Sequence, residues 1–193
     1  GVNVGYVFDS YNAEAEAYWF MKQSRAVQDP GGIALISRTN SGVNDNSVHT
    51  IGGRGSFDPI EDWTVALEGA FQVGDYMVTN QVNERTREAW AIDVMLECRY
   101  FQDDYAWRPV LSAEYIFYSG EDNALDQTAA STGDWNAWDP MFRGKFDTAI
   151  REFQNVFYAT QSASTASTTN QHQVLVRGTV EPTDSLTCSA TWA

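Results

Sequence analysis

From Trp63 to Gly74 the chain alternates with a period of two. Trp63, Val65, Leu67, Gly69, Phe71 and Val73 are apolar or small, and Thr64, Ala66, Glu68, Ala70, Gln72 and Gly74 are polar or small. Successive side chains of a strand point to opposite faces, so the pattern predicts a strand with one apolar face and one wet face. At about 3.3 Å per residue, such a strand is long enough to cross the hydrocarbon of a bilayer when tilted.

Most of the chain repeats this alternation. Gly1 to Phe8 sets Val2, Val4, Tyr6 and Phe8 against Asn3, Gly5 and Val7, and Asp-Ser-Tyr-Asn at 9–12 predicts a tight turn. The return strand, Ala13 to Lys22, puts Ala13, Ala15, Ala17, Trp19 and Met21 opposite Glu14, Glu16, Tyr18, Phe20 and Lys22. An amphipathic helix competes for this alanine- and glutamate-rich run, but the neighbouring hairpins favour a strand. Further strands are predicted at Val48–Phe57, Arg87–Phe101, Trp107–Ser119, Gln171–Val180 and Leu186–Ala193. Residues 120–170 are the least readable part, and Phe146 to Thr160 fits either a helix or an extra strand.

Loop lengths add an architecture. The turns at 9–12, 58–62, 102–106 and 181–185 are short, whereas the connections at 23–47, 75–86 and 120–170 are long. Short periplasmic turns and long extracellular loops are the pattern of outer-membrane barrels. The expected fold is all-β, an antiparallel transmembrane β-barrel, with residues 1–193 as a single segment of about eight strands. The parity puts both Gly1 and Ala193 at the extracellular rim, while the termini of single-chain barrels normally lie in the periplasm. The expectation is therefore a slice of a larger barrel rather than a complete eight-stranded one.

Composition fits that picture and excludes others. Mean hydropathy is -0.38, and no apolar run approaches the roughly 18 residues of a membrane helix. Alternating strands can still span a membrane, because only every second residue must tolerate lipid. Aromatic residues make up 13% of the chain, with seven Trp and nine Tyr, many at predicted strand ends where barrels carry aromatic girdles. The aromatic core of a β-sandwich is the plainer reading of the same residues. Net charge is -14, which argues against nucleic acid as a partner. Cys98 and Cys188 fall on apolar faces and read as small hydrophobes rather than a disulfide.

The block from His49 to Asp122 resembles the alginate-export family of Gram-negative outer-membrane β-barrels. Three runs carry the likeness: Thr-Ile-Gly-Gly-Arg-Gly-Ser-Phe at 50–57, Leu-Glu-Gly-Ala-Phe-Gln-Val-Gly at 67–74 and Trp-Arg-Pro-Val-Leu-Ser-Ala-Glu-Tyr-Ile-Phe-Tyr-Ser-Gly-Glu-Asp at 107–122. Trp-Asp-Pro-Met-Phe at 138–142 resembles the family's acidic-loop segment, where the chain turns back toward the membrane. The resemblance implies a porin-like barrel of about 16 to 18 strands in the outer membrane, whose lumen conducts a polyanionic polysaccharide or another solute. It supports an outer-membrane pore more strongly than alginate as the cargo.

On the inward faces, Arg54, Arg99, Arg108 and Arg177, with Arg87, lie beside Glu68, Asp93, Glu97 and Glu114. Rings of charge select ions, and a planar guanidinium binds carboxylates bidentately, so the arginines read as a ladder for anionic solute. A salt-bridge lattice that braces the wall and selects nothing is the competing reading. Glu121 and Asp122, with other loop acids, suit a divalent cation bridging to lipopolysaccharide, although no calcium-loop spacing supports them over a solvated acidic loop. Glu114 with Asp122, or Asp93 with Glu97, is too common an arrangement to indicate a glycosidase. His49 and His172 lack a ligand cluster, and no nucleophile elbow or phosphate loop is present. Gly52, Gly53 and Gly55 read as relief of crowding in a curved strand.

The leading expectation is thus a non-enzymatic passive pore without a cofactor, its partners being outer-membrane lipid and lipopolysaccharide, its solute, and in some settings another surface or periplasmic protein. The alternative is a non-conducting barrel whose acidic loops bind glycans or a partner protein. A soluble β-sandwich with carbohydrate affinity is the third reading. Detergent separates it from the other two: a belt of Trp90, Ile92, Val94, Leu96, Leu111 and Phe117 is expected to aggregate in size-exclusion chromatography without detergent and to run as one species with it.

Overall fold

The structure, a computed structural model, describes residues 1–24, 46–76, 85–99, 104–120, 133–139 and 170–192. Eight antiparallel strands form one sheet in sequence order: β1 (Val2–Phe8), β2 (Ala13–Ser24), β3 (Asn46–Ile60), β4 (Trp63–Tyr76), β5 (Arg85–Cys98), β6 (Val110–Tyr118), β7 (Gln171–Thr183) and β8 (Leu186–Trp192). The sheet is open, with β1 and β8 as its edges. Among the described residues there is no helix. The alanine- and glutamate-rich run is strand β2, paired with β1 from Ala13 to Trp19 and with β3 from Glu14 to Ser24. β6 and β7 are direct neighbours, with no strand between them. Of that connection, the stretch from Phe146 to Thr160 lies outside the described residues.

Alternation gives the sheet two unlike faces, and burial is distributed between them in the opposite sense to a soluble domain. On one face Leu67, Phe71, Trp90, Ile92, Val94, Leu96 and Leu111 are between 37% and 49% exposed. On the other, Gln72 and Ala89 are fully buried, as nearly are Thr50, Arg85 and Arg87. A contiguous apolar surface of this size belongs against a partner phase or molecule, because soluble monomers rarely expose one. Its margins are aromatic. Trp19, Phe71, Trp90 and Phe117 lie toward the long connections, and Phe57, Trp63, Tyr105 and Trp107 toward the short turns. The band between them is mainly aliphatic and small, with Tyr115 of β6 and Tyr6 of β1 as aromatic members. Trp63 and Phe71 are separated by about 26 Å along β4.

Two of the short turns are tighter than the sequence predicts. β3 continues beyond Phe57 through Pro59 to Ile60, and β7 continues beyond Val180 through Pro182 to Thr183. Each gains one residue over its partner: Phe57 faces Val65 but Ile60 faces Trp63, and Val180 faces Cys188 but Thr183 faces Leu186. Proline cannot donate to the ladder, and these bulges are where a strand tolerates it. The same six-residue pattern makes both: Arg-Gly-Ser-Phe-Asp-Pro at 54–59 and Arg-Gly-Thr-Val-Glu-Pro at 177–182. Asp58 is tied across its hairpin by the Thr64 hydroxyl at 2.6 Å and by the Asn12 amide at 3.1 Å. β6 starts three residues later than expected, at Val110, because Arg108 adopts a left-handed backbone (φ 44) that a ladder does not accommodate.

The sheet curls toward its polar face. Tyr18 of β2 passes over Gly52 of β3, and its hydroxyl donates to Glu68 of β4. A Cβ on Gly52 would lie 2.5 Å from the Tyr18 ring, so a side chain here has to push the far end of that ring aside. Gly52→Val is expected to displace Tyr18, break its bond to Glu68 and cost about 1–3 kcal/mol by overpacking. Thermal or urea unfolding of the variant against the parent in the same detergent checks this, and an unchanged midpoint would refute the packing role.

Candidate functional site

The polar face carries its charge in register rows. One row runs Glu16, Arg54, Glu68, Asp93, Ile116 and Gln173 from β2 to β7. The next, one step toward the short turns, runs Glu14, Ser56, Ala66, Met95, Glu114 and Leu175. A third runs Thr64, Glu97, Ser112, Arg177 and Thr191 from β4 to β8. The structure thus brings Arg54, Arg177, Glu68, Asp93, Glu97 and Glu114 onto one face, as the alternation requires. Arg99 joins them at the end of β5, and Arg108 does not. Its guanidinium sits in the turn before β6, 3.9 Å from Glu181 of β7, more than half exposed.

Carboxylates hold two of the arginines of this wall. Arg54 donates through Nε and Nη2 to one oxygen of Glu16, at 2.9 and 2.7 Å, while Asn3 donates to the other at 2.8 Å. Arg99 donates to Glu97 at 2.9 Å and also to the Thr64 hydroxyl. Arg177 has a hydroxyl partner, Thr191, at 3.3 Å. The three rows contain the carboxylates Glu14, Glu16, Glu68, Asp93, Glu97 and Glu114 against the guanidiniums Arg54 and Arg177. Arg54–Glu16 and Arg99–Glu97 are ion pairs, and acid is in excess over the three rows. Near the bulge of β3, outside the apolar band, the bonds from Thr64 and Asn12 hold the Asp58 carboxyl below its ordinary range.

A second polar cluster lies at the long-connection end, and its chemistry differs. Residues 133–139 take up the edge of β5 where β6 has ended. Trp135 donates its N–H to the Thr86 carbonyl at 2.7 Å and accepts from Glu88 N–H at 3.0 Å. The segment then crosses the polar face toward β2. The Arg85 guanidinium donates to the carbonyls of Gly133 and Asp134 at 3.0 and 2.6 Å, and Arg87 donates to that of Ala137 at 2.6 Å. Gln72 forms a closed amide pair with Asp139, donating to its carbonyl at 2.7 Å and accepting its N–H at 2.8 Å. The Asp139 carboxylate reaches Lys22 at 2.8 Å and stands 4.0 Å from Arg87. Rings complete the packing: Tyr76 stacks on Trp135 at 3.9 Å, and Arg85 and Arg87 lie over Trp135 and Tyr76.

Protein-family models, curated proteins and solved structures return no significant match to this chain. The likeness to alginate-export barrels is carried by the quoted residues alone.

Sequence reading named Arg87 as an inward arginine, placed Gln72 on the wet face of its strand and counted Asp139 among the loop acids, but did not single out Lys22 or Arg85. Arg85 and Arg87 share a face by their spacing of two, and the Trp-Asn-Ala-Trp-Asp run at 135–139 stands out within a polar connection. Nothing local joins the two. Glu121 and Asp122 lie outside the described residues. For the wall itself, a double-mutant cycle on Arg54 and Glu16 is expected to give a coupling of about 0.2–1 kcal/mol, because the Arg54 side chain is 60% exposed and water screens the pair. A coupling well above that range, measured by unfolding in one detergent, would make the pair a structural brace.

Proposed function

We propose that the eight strands are a wall of an outer-membrane β-barrel pore of the alginate-export type, through which solute passes passively. The observation that carries this reading is the inverted burial: a continuous exposed apolar face on one side of the sheet and a charged, hydrogen-bonded face on the other. Lipid and lipopolysaccharide of a Gram-negative outer membrane cover the first face, and water fills the space before the second. The aromatic margins support the same arrangement, since Trp and Tyr favour the headgroup level. After tilting, the band between them on β4 spans about 20 Å, of the order of the apolar belt of such barrels. A membrane barrel leaves no free edge in the hydrocarbon, so β1 and β8 are paired by further strands in this reading.

The family likeness suggests an anionic solute or polysaccharide, and Arg54 and Arg177 offer it guanidiniums in the lumen. The excess of carboxylates in the same rows favours a second reading of the cargo, passage of cations, because a ring of acid lowers the energy of a cation in the pore.

Planar-bilayer recording of the protein in a salt gradient tests both. Single-channel steps are expected. A reversal potential on the anion side, weakened in Arg54→Gln with Arg177→Gln, supports the first cargo, and one on the cation side, weakened in Glu68→Gln with Asp93→Asn, supports the second. Absence of conductance from reconstituted, folded protein sinks the pore and leaves a closed barrel that acts through its loops.

A further inference from the structure

We propose that the open edges of the sheet pair head-to-tail between two copies of this chain, β8 of one copy against β1 of the other, in the register by which β4 meets β5. The inference rests on an internal repeat and goes beyond the pore reading, since it concerns what closes the wall and holds whatever the lumen conducts.

β1 to β4 and β5 to β8 are two copies of one four-strand unit. The shared pattern at 54–59 and 177–182 extends in both directions: His49 and His172 stand five positions before its arginine, and Thr64 and Thr187 five after its proline. The ladders agree. Ser56 faces Glu14 as its counterpart Thr179 faces Val110, and Gly55 faces Ala15 as Gly178 faces Leu111. Phe57 then faces Val65 as Val180 faces Cys188, with the bulge at the same place in each unit. The turn contacts agree as well. The Asp58 N–H donates to the Tyr11 carbonyl at 2.8 Å, and the Glu181 N–H donates to the Trp107 carbonyl at 2.7 Å. The residue after each acceptor, Asn12 or Arg108, has a left-handed backbone (φ 46 and φ 44) and turns its side chain to the carboxylate of Asp58 or Glu181. In the first hairpin of each unit, Tyr6 facing Ala15 corresponds to Cys98 facing Leu111, which makes β1 the counterpart of β5.

The ladder between β4 and β5 is therefore a template for the two open edges. In it Trp63 faces Cys98 and Ala66 faces Met95. The counterparts are Leu186 against Tyr6 and Ser189 against Asn3, which match apolar face with apolar face and polar with polar. The stagger fits a closed barrel. The row through Tyr6, Ala15, Gly55 and Leu67 reaches β5 at Val94, whereas the counterpart of Tyr6 is Cys98, four residues further on. About one residue of stagger per strand, at a rise of about 3.3 Å and a spacing of about 4.8 Å, is a tilt of about 35°, within the range of barrels. One copy closed on itself has an interior only wide enough for side chains. Here residues 133–139 lie across the polar face from β5 to β2, main chain included, and β1 and β8 stand at opposite ends of an open sheet. Two copies double the circumference, cover every edge by one kind of contact and close under two-fold symmetry.

The test joins the paired edges chemically. Asn3→Cys is placed in one tagged chain and Ser189→Cys in another, both in a Cys98→Ala, Cys188→Ala background, and the two are folded together in detergent and treated with a short bismaleimide. A monofunctional maleimide first shows that each thiol reacts. A linked heterodimer is expected from this pair on a denaturing gel. Several-fold less is expected from Val7→Cys with Ser189→Cys, because Val7 shares the face of Asn3 but lies four positions out of register along β1. With Asn3→Cys and Ser189→Cys in one chain, linked product is expected at twice the chain mass or above. Linked product at the mass of a single chain overturns the second copy in favour of an eight-stranded closure. Equal yields from the two pairs overturn the register, and reactive thiols that give no linked product overturn the edge pairing altogether. Bilayer recording keeps the pore reading separate: linked pairs without conductance sink the pore and leave the pairing in place, and conductance without linking does the reverse.

Discussion

The constraint on which the rest of this structure depends is that, among the described residues, none packs against its larger apolar face, which stays exposed. Fully burying one large aliphatic or aromatic side chain is worth about 1.5–3 kcal/mol, and the exposed face carries many of them, from Ile51 and Leu67 on β3 and β4 to Val174 and Val176 on β7. No ordinary soluble domain leaves that much free energy unrealised. An apolar phase that accepts this face makes the other features consistent: strands long enough to span it, aromatic margins, and charge collected on the opposite side.

What is buried on the inward face is mixed, polar side chains beside apolar ones such as Val48, Ile116 and Leu175. Among the described residues the largest fully buried side chain is Gln72, and its amide is satisfied at both ends by the Asp139 backbone, with the Thr50 hydroxyl as a further acceptor at 3.1 Å. Buried polar groups are costly unless bonded, and once bonded they specify one geometry. Arg85 follows the same logic through the Gly133 and Asp134 carbonyls, whereas Arg87 is bonded to the Ala137 carbonyl and lies over the Tyr76 ring with its buried Nε unbonded. The sheet is thus apolar where it faces outward and closely hydrogen-bonded where it faces inward, with the tightest contacts at the long-connection end.

The two proline hairpins show how local chemistry fits this frame. Both end in an acidic residue followed by proline, and both carry one extra residue on the first strand. The bulge lets a residue without an N–H stand in the strand and leaves room for a two-residue turn, Glu61-Asp62 in one and Asp184-Ser185 in the other. The sequence cue, Asp-Pro or Glu-Pro, reads as a turn, which is why the strands were expected to stop at Phe57 and Val180. Proline is a turn signal by propensity and a bulge residue by context, and the context here is the partner strand.

The alternation along the chain determined by itself that the described residues are all-β, that the strands number about eight, which side chains share a face, and that β2 is not a helix once its neighbours are hairpins. All of that follows from a period of two, which any stretch of about seven residues displays. It also placed Arg54, Arg177, Glu68, Asp93, Glu97 and Glu114 together, because facing is decided by parity alone. Only the tertiary structure decided that Arg54 is engaged by Glu16, that Arg108 leaves the row for a left-handed turn, and that Asp139 closes on Gln72 and Lys22 across 67 and 117 positions of sequence. Those contacts have no period. They depend on where a long connection comes back to the sheet, and that is set by the backbone groups that β6 leaves unpaired at the start of β5, which no local pattern records.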